Sequence, residues 1–132
     1  MQYGTVVQGR FLARPNRFIA LVEVDGAETV CHVKNTGRCR ELLRPGATVY
    51  LERSGNLLRK TAFDLIAVDK DGLLINMDAQ APNKVFGEFA RSFEPTTLDV
   101  KPEFVYGASR LDFCLTTPMG LHLVEVKGVT LE

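Results

Sequence analysis

Cysteine and histidine are scarce in this 132-residue sequence, and long hydrophobic runs are missing altogether. The three cysteines, Cys31, Cys39 and Cys114, form an odd set whose spacing fits neither a disulfide framework nor paired CxxC zinc knuckles. They read as free thiols, buried or half-buried. The two histidines, His32 and His122, are each flanked by apolar residues in strand candidates, so a structural role fits them better than that of ligand or base. A serine–histidine triad has little to build on. No segment approaches the roughly 20 apolar residues needed to cross a bilayer. Residues 1–8 have neither the basic start nor the apolar core of a secretory signal. No membrane partner is therefore expected, and the expected compartment is the cytoplasm. The GxxxxGK[ST] phosphate loop, the GxGxxG turn after a strand and the HExxH zinc helix are also absent.

What is present is ordinary in bulk and uneven in arrangement. With 45% hydrophobic residues, 11 Gly and 6 Pro, disorder, collagen and coiled coil are excluded, and the length suits one domain or two very small ones. Sixteen Lys+Arg balance sixteen Asp+Glu, yet ten of the basic residues and only five of the acids fall within residues 1–60. The first part therefore suits a polyanion, while the acidic remainder suits cations or no partner. Solvated surface charge is the competing reading of both.

The first part reads as short strands. Thr5 to Ala13 and Arg17 to Val24 flank Arg14-Pro15-Asn16, and Asp25-Gly26 turns the chain into Glu28 to Val33. Arg38 to Leu43 reads as a short helix closed by Pro45-Gly46. Strands resume over Ala47 to Glu52 and Ala62 to Val68, and Asp71-Gly72 leads into Leu73 to Asn76. This order matches a small Greek-key barrel of the OB type, with a generic β-barrel as the alternative.

From Ala81 the period changes. Val85, Phe86, Phe89, Ala90 and Phe93 recur at helical steps, with Pro82 near the start, which predicts an amphipathic helix of about three turns. Leu98 to Tyr106, Arg110 to Thr116 and Leu121 to Val129 then read as three strands. The predicted fold class is thus β-rich α+β, with an OB-like barrel over 1–80 and a helix plus β-sheet unit over 81–132. One helix and an unpaired last strand leave that sheet poorly covered, so the natural protein is expected to continue past Glu132. The open sheet edge also allows a homo-oligomer.

Chemistry concentrates at the second hairpin. In Thr117-Pro118-Met119-Gly120, Pro and Gly occupy the positions a type I turn prefers. A turn centred between Pro118 and Met119 sets Asp112 opposite Glu125. Alternation supports this register: Leu111, Phe113, Leu115, Val124 and Val126 share one face, and Asp112, Cys114, Glu125 and Lys127 share the other. Opposed carboxylates repel, and a hard divalent ion held by oxygen ligands reverses the sign of that term, which points to Mg²⁺ or Mn²⁺. Lys127 could orient or deprotonate a metal-bound water and neutralise a phosphate, the logic of phosphodiester hydrolysis. Glu88, on the preceding helix, is a candidate third metal ligand; a solvent-facing helix glutamate is the competing reading. For Asp112, Glu125 and Lys127 the competing reading is a surface salt bridge.

RPNRF (Arg14 to Phe18), NTGR (Asn35 to Arg38), Pro82-Asn83, YGASRLDF (Tyr106 to Phe113) and VEVKGVTL (Val124 to Leu131) run through essentially the whole chain. In their order and separation they resemble the sugar fermentation stimulation protein A (SfsA) family. The resemblance implies an N-terminal OB-like domain followed by the first part of a domain similar to the PD-(D/E)XK nuclease core. It further implies DNA binding in the cytoplasm and a role in regulating sugar (maltose) catabolism. The implied metal ligands fall on Asp112 and Glu125, with Lys127 as the motif lysine, so these three are the candidate catalytic residues. Three positions depart from the pattern: Leu111 stands where the signature has proline, Gly128 where Ser is more frequent, and Lys34 where Pro is more usual. None removes a charged group from the site.

Two functions from different classes follow. The first is DNA binding through the basic half, with Arg14, Arg17 and Arg38 as preferred contacts. Arg14 and Arg17 sit at a strand connection and Arg38 at the entry of the short helix. Phe11 and Phe18 are either stacking platforms or barrel core. The second is a metal-dependent endonuclease that uses Asp112, Glu125 and Lys127. An adaptor without catalysis is a third possibility, and no helix carries a clear base-reading face.

Overall fold

The computed structural model describes residues 1–56 and 58–130. Leu131, the last residue of the VEVKGVTL segment, and Glu132 lie outside the described residues. The chain divides into two compact units, one built on Gln2–Ala79 and the other on Gln80–Gly128 together with Met1.

The first unit holds β1 (Val6–Asn16), β2 (Ile19–Val24), β3 (Ala27–Val33), β4 (Thr48–Arg53), β5 (Phe63–Lys70) and β6 (Leu73–Asn76). Their order is β3-β2-β1-β4-β5-β6, and a parallel pairing of β3 with β5 closes the first five into an OB-like barrel. Only two residue pairs, His32 with Asp64 and Val33 with Leu65, form that seam. Strand alternation fills the interior with Ala20 and Val22 from β2, Cys31 and Val33 from β3, and Val49 and Leu51 from β4; on β5 a register shift between Leu65 and Ala67 brings both Leu65 and Val68 to the same core. Phe11 joins them at 2% exposure, which assigns it to the core. Asp25-Gly26 and Asp71-Gly72 turn with positive φ at both residues, the conformation two-residue hairpin loops favour. At Gly9, where β1 crosses β2, a Cβ would lie 2.5 Å from Val22 Cγ1, so the approach of the two strands requires glycine.

One expected element of this unit is corrected. Residues 38–43 form a single turn, with Leu42 and Leu43 donating to the Cys39 carbonyl, and no helix. Cys39 has φ 50°, outside the helical region. Pro45 disfavours helical backbone at Arg44 and stops further propagation. Arg38 consequently does not stand at a helix N-terminus.

The second unit contains α1 (Ala81–Phe93), β7 (Asp99–Tyr106), β8 (Ser109–Thr117) and β9 (Gly120–Val124), with sheet order β7-β8-β9. Pro82 lies in the first turn of α1, where its missing N–H leaves no bond unmade, and the helix occupies the predicted span. Phe86 packs against Phe113 at a 5.1 Å centroid separation, and Ala90 is fully buried. Val85, Phe89 and Phe93 remain half-exposed.

The β8–β9 hairpin has the predicted register: Thr117 pairs with Gly120, Leu115 with His122 and Phe113 with Val124. Two details differ. His122 is exposed and makes no buried hydrogen bond among the described residues. The last strand ends at Val124 and does not reach Val129, because the next available amide, that of Val126, donates to the Asp112 side chain instead of a strand partner.

Among the described residues, no helix is long and apolar enough to cross a membrane.

Candidate functional site

The first candidate site grows out of the β1–β2 turn. Asn16 Oδ1 accepts from the N–H groups of Phe18 and Ile19 at 2.8 and 3.0 Å, which fixes the turn and the direction of its side chains. Asn35 Oδ1 does the same for Gly37 N–H at 2.9 Å in the segment after β3. Arg14 joins the two segments. Its two terminal nitrogens donate to the carbonyls of Gly37, Arg38, Arg17 and Asn35 at 2.5 to 2.8 Å.

A cleft of about 290 Å³ opens there, lined by Arg14, Asn16, Arg17, Arg38, Arg40 and Leu43. Four cations and no carboxylate line it, so the potential inside is positive and suits an anion. Arg17, Arg38 and Arg40 are exposed and form no ion pair among the described residues. Arg10 is engaged elsewhere, 3.1 Å from Glu23. The expectation that Arg14 is displayed for contact is corrected: four backbone acceptors hold its guanidinium, and it builds the cleft. Phe18, in contrast to Phe11, is 48% exposed, and the Arg17 guanidinium lies 5.1 Å from its ring centroid.

Beneath the seam of the same unit lies a polar cluster with no sequence signature. Arg59 grips the buried Asp64 through Nη1 and Nη2 at 3.1 and 2.6 Å, and His32 Nδ1 stands 3.2 Å from the same carboxylate. Burial pushes the Asp64 carboxyl up, but Arg59, aided by Lys34 and His32, holds it below its ordinary range on balance. Burial, with Asp64 nearby, pushes the Cys31 thiol up to about 11.

The second candidate site lies in the Gln80–Gly128 unit, around Asp112 on β8. Its Oδ2 accepts from Val126 N–H at 2.7 Å and its Oδ1 from Asn83 Nδ2 at 3.0 Å. On the other side, the β7 ladder skips the position facing Asp112: Pro102 pairs with Phe113 and Phe104 with Leu111, while Glu103 between them has φ 54°. A left-handed glutamate inside a strand is a strained arrangement, and the ladder is interrupted at this one position. Val126 N–H and the Asn83 amide, joined by a side-chain hydrogen bond with Glu125 and by the charge of the Lys127 ammonium, hold the Asp112 carboxyl below its ordinary range against the opposing effect of burial.

Glu125 and Lys127 thus lie close enough to Asp112 to act on its carboxyl, while Asn83 and the Val126 amide hold it directly. Asn83 lay in the Pro82-Asn83 segment of the sequence, but nothing in its type or spacing assigned it a partner. Glu88 is not brought to the pair; its carboxylate accepts from the Met1 amino group. Among the described residues no three His, Cys, Asp or Glu side chains gather as a metal cluster. Two carboxylates still fit a hard divalent ion, since Mg²⁺ commonly takes one or two and keeps several waters.

Comparison with known proteins covers both units. A family model described as the SfsA N-terminal OB domain matches residues 12–77, and one described as the sugar fermentation stimulation protein RE domain matches residues 80–132. The sugar fermentation stimulation protein homolog of Desulfitobacterium hafniense (strain DSM 10664 / DCB-2) is 53% identical over 133 residues, covering 100% of this chain and 58% of that protein. The homolog from Clostridium beijerinckii is 52% identical over 135 residues, covering 100% of this chain and 59% of its own length. The chain therefore spans less than two thirds of the curated relatives it matches. A solved structure, Pyrococcus furiosus SfsA in complex with Ca²⁺, superposes with a TM-score of 0.79 at 27% identity over 95% of this chain and 55% of that one. The chain belongs to the sugar fermentation stimulation protein (SfsA) family.

Proposed function

We propose that this chain is a DNA-binding protein whose OB-like unit holds the phosphate backbone, acting in the cytoplasm in the regulation of sugar (maltose) catabolism. The observation that carries the DNA-binding part is the cleft lined by four arginines and no acid. The names of the relatives support the tie to sugar metabolism. Arg17, Arg38 and Arg40 supply the charge, and Arg14 sets the spacing between the two segments that carry them. Each phosphate neutralised releases counterions, so the affinity falls with salt. The test is a binding titration over a range of salt with a labelled DNA. A log–log slope that becomes shallower in Arg38→Ala supports the reading, and salt-insensitive binding opposes it.

A second reading, a metal-dependent endonuclease, is favoured by the convergence of Asp112, Glu125, Lys127 and Asn83. Asp112 and Glu125 would hold a Mg²⁺ or Mn²⁺ ion. Such an ion, when bound, polarises a phosphoryl oxygen and raises the acidity of water. Asn83 and Val126 N–H hold the Asp112 carboxylate ionised and fixed in direction. Lys127 places a positive charge beside the carboxylates, where it can neutralise the charge developing on a phosphate. Divalent-ion-dependent cleavage that Asp112→Asn abolishes, with DNA binding retained, supports this reading. Absence of cleavage by a full-length relative under varied metals opposes it.

A further inference from the structure

We propose that the arginine cleft takes single-stranded nucleic acid, with an unpaired base stacked on Phe18 and the adjoining phosphates held by Arg17, Arg38 and Arg40. This rests on the nucleic-acid reading above and narrows its ligand class. A polyanion-binding surface needs only cations, and an aromatic ring presented beside them adds a π-face that phosphates do not use. Phe18 is 48% exposed although it directly precedes β2, whose inward residues Ala20 and Val22 are fully buried. Its backbone is fastened at both ends: Asn16 Oδ1 accepts from its N–H at 2.8 Å, and its carbonyl accepts from Val33 N–H at 2.8 Å. The ring therefore stands on a fixed base and lacks the freedom of a loop tip, which lowers the entropy lost when something packs on it.

Arg17 ties the ring to the cleft. Its guanidinium lies over one face of the Phe18 ring, 5.1 Å from the centroid, and it also lines the arginine cleft, so a base stacks on the other face or takes the place of the guanidinium. A base stacked at Phe18 would thus have its own phosphate within the reach of the same cluster, which is how sequence-tolerant strand binding is assembled from cations and π-faces. In a duplex the π-faces are hidden in the base stack, so a duplex can use the arginines but not the ring. Among the described residues, the Gln2–Ala79 unit also contains no helix to enter a major groove.

The experiment compares, by fluorescence anisotropy at one salt concentration, a short labelled strand of mixed sequence with the same strand annealed to its complement. The wild-type chain is expected to bind the strand more tightly. Phe18→Leu, which keeps apolar bulk and removes the π-face, is expected to weaken strand binding roughly 5- to 150-fold, the value of one lost base stack. The same substitution is expected to leave duplex binding nearly unchanged, and Phe18→Tyr to retain strand affinity. Ultraviolet cross-linking of the bound strand to the unaltered chain, with the adduct mapped to Phe18, gives a measurement that needs no variant. Duplex bound as tightly as strand, with Phe18→Leu without effect, overturns this inference and leaves the DNA-binding reading standing. Failure to bind either form overturns both.

Discussion

Asn83 Nδ2 donates to Asp112 Oδ1 at 3.0 Å, tying the first turn of α1 to the middle strand of the small sheet. The bond gives the candidate acid pair a fixed member. Removing it in Asn83→Ala should move the Asp112 pKa up toward the ordinary carboxylate value while leaving the Val126 N–H bond. A loss of stability on the order of 1 kcal/mol is expected at neutral pH. Because the folded-state pKa of Asp112 is depressed, this contribution exists above the unfolded carboxylate pKa and fades as the pH falls through the folded one. Carbonyl-detected NMR titration of Asp112 in the two proteins checks it; an unchanged pKa would refute the positioning role.

Arg14→Lys should fail to replace arginine. Four carbonyl acceptors surround a planar fork of donors, and a single ammonium cannot reproduce that geometry. A loss of about 1 to 3 kcal/mol in urea unfolding is expected, together with weaker DNA binding. Arg38→Ala and Arg40→Ala should change stability by less than about 0.5 kcal/mol, as surface substitutions do. Equal stability losses at all three positions would remove the distinction between builder and contact.

Arg59→Met should destabilise the barrel unit in a pH-dependent way. It leaves Asp64 buried without its main partner, at a cost on the order of 2 kcal/mol near neutral pH. The folded-state pKa of Asp64 is depressed, so the stabilisation is present above the unfolded value and is lost as the pH falls through the folded value. The gap between wild type and variant in urea midpoints should therefore narrow under acid conditions. A gap independent of pH would mean that Arg59 acts through packing alone.

None of the three cysteines should react with a thiol reagent at mildly alkaline pH in the native protein, since all are buried and the Cys31 thiol is pushed up to about 11. In urea all should react. Native labelling of Cys31 would show that the β3–β5 seam opens.

Much of the framework was legible from local rules. Thr117-Pro118-Met119-Gly120 encodes a two-residue turn, and a two-residue turn leaves one register, so the β8–β9 pairing could be read off before any coordinates; it runs to Phe113 with Val124, one pair short of Asp112 and Glu125. The helical spacing of Val85, Phe86, Phe89, Ala90 and Phe93 placed α1, and the Asp-Gly pairs placed two hairpins. What escaped were interactions whose partners carry no residue-type signal. The acceptors of Arg14 are backbone carbonyls, which every residue possesses, so a clamp and a displayed cation look alike in a sequence. Residues 38–43 have a helical pattern, and only the positive φ of Cys39 together with Pro45 reveals a single turn. Phe11 and Phe18 are identical in type; their separation into core and surface follows from where β1 ends and β2 begins. Helical position alone makes Glu88 a candidate ligand, and nothing in the sequence signals that the Met1 amino group engages it.

Whether the arginine cleft holds the phosphate backbone is decided by the salt dependence of DNA binding to the wild-type chain and to a double variant, Arg38→Ala with Arg40→Ala. Log affinity should fall linearly with log salt, and the slope should become shallower by about 0.7 to 0.9 for each phosphate contact removed, with urea stability unchanged. Identical slopes and affinities for the two proteins would contradict it.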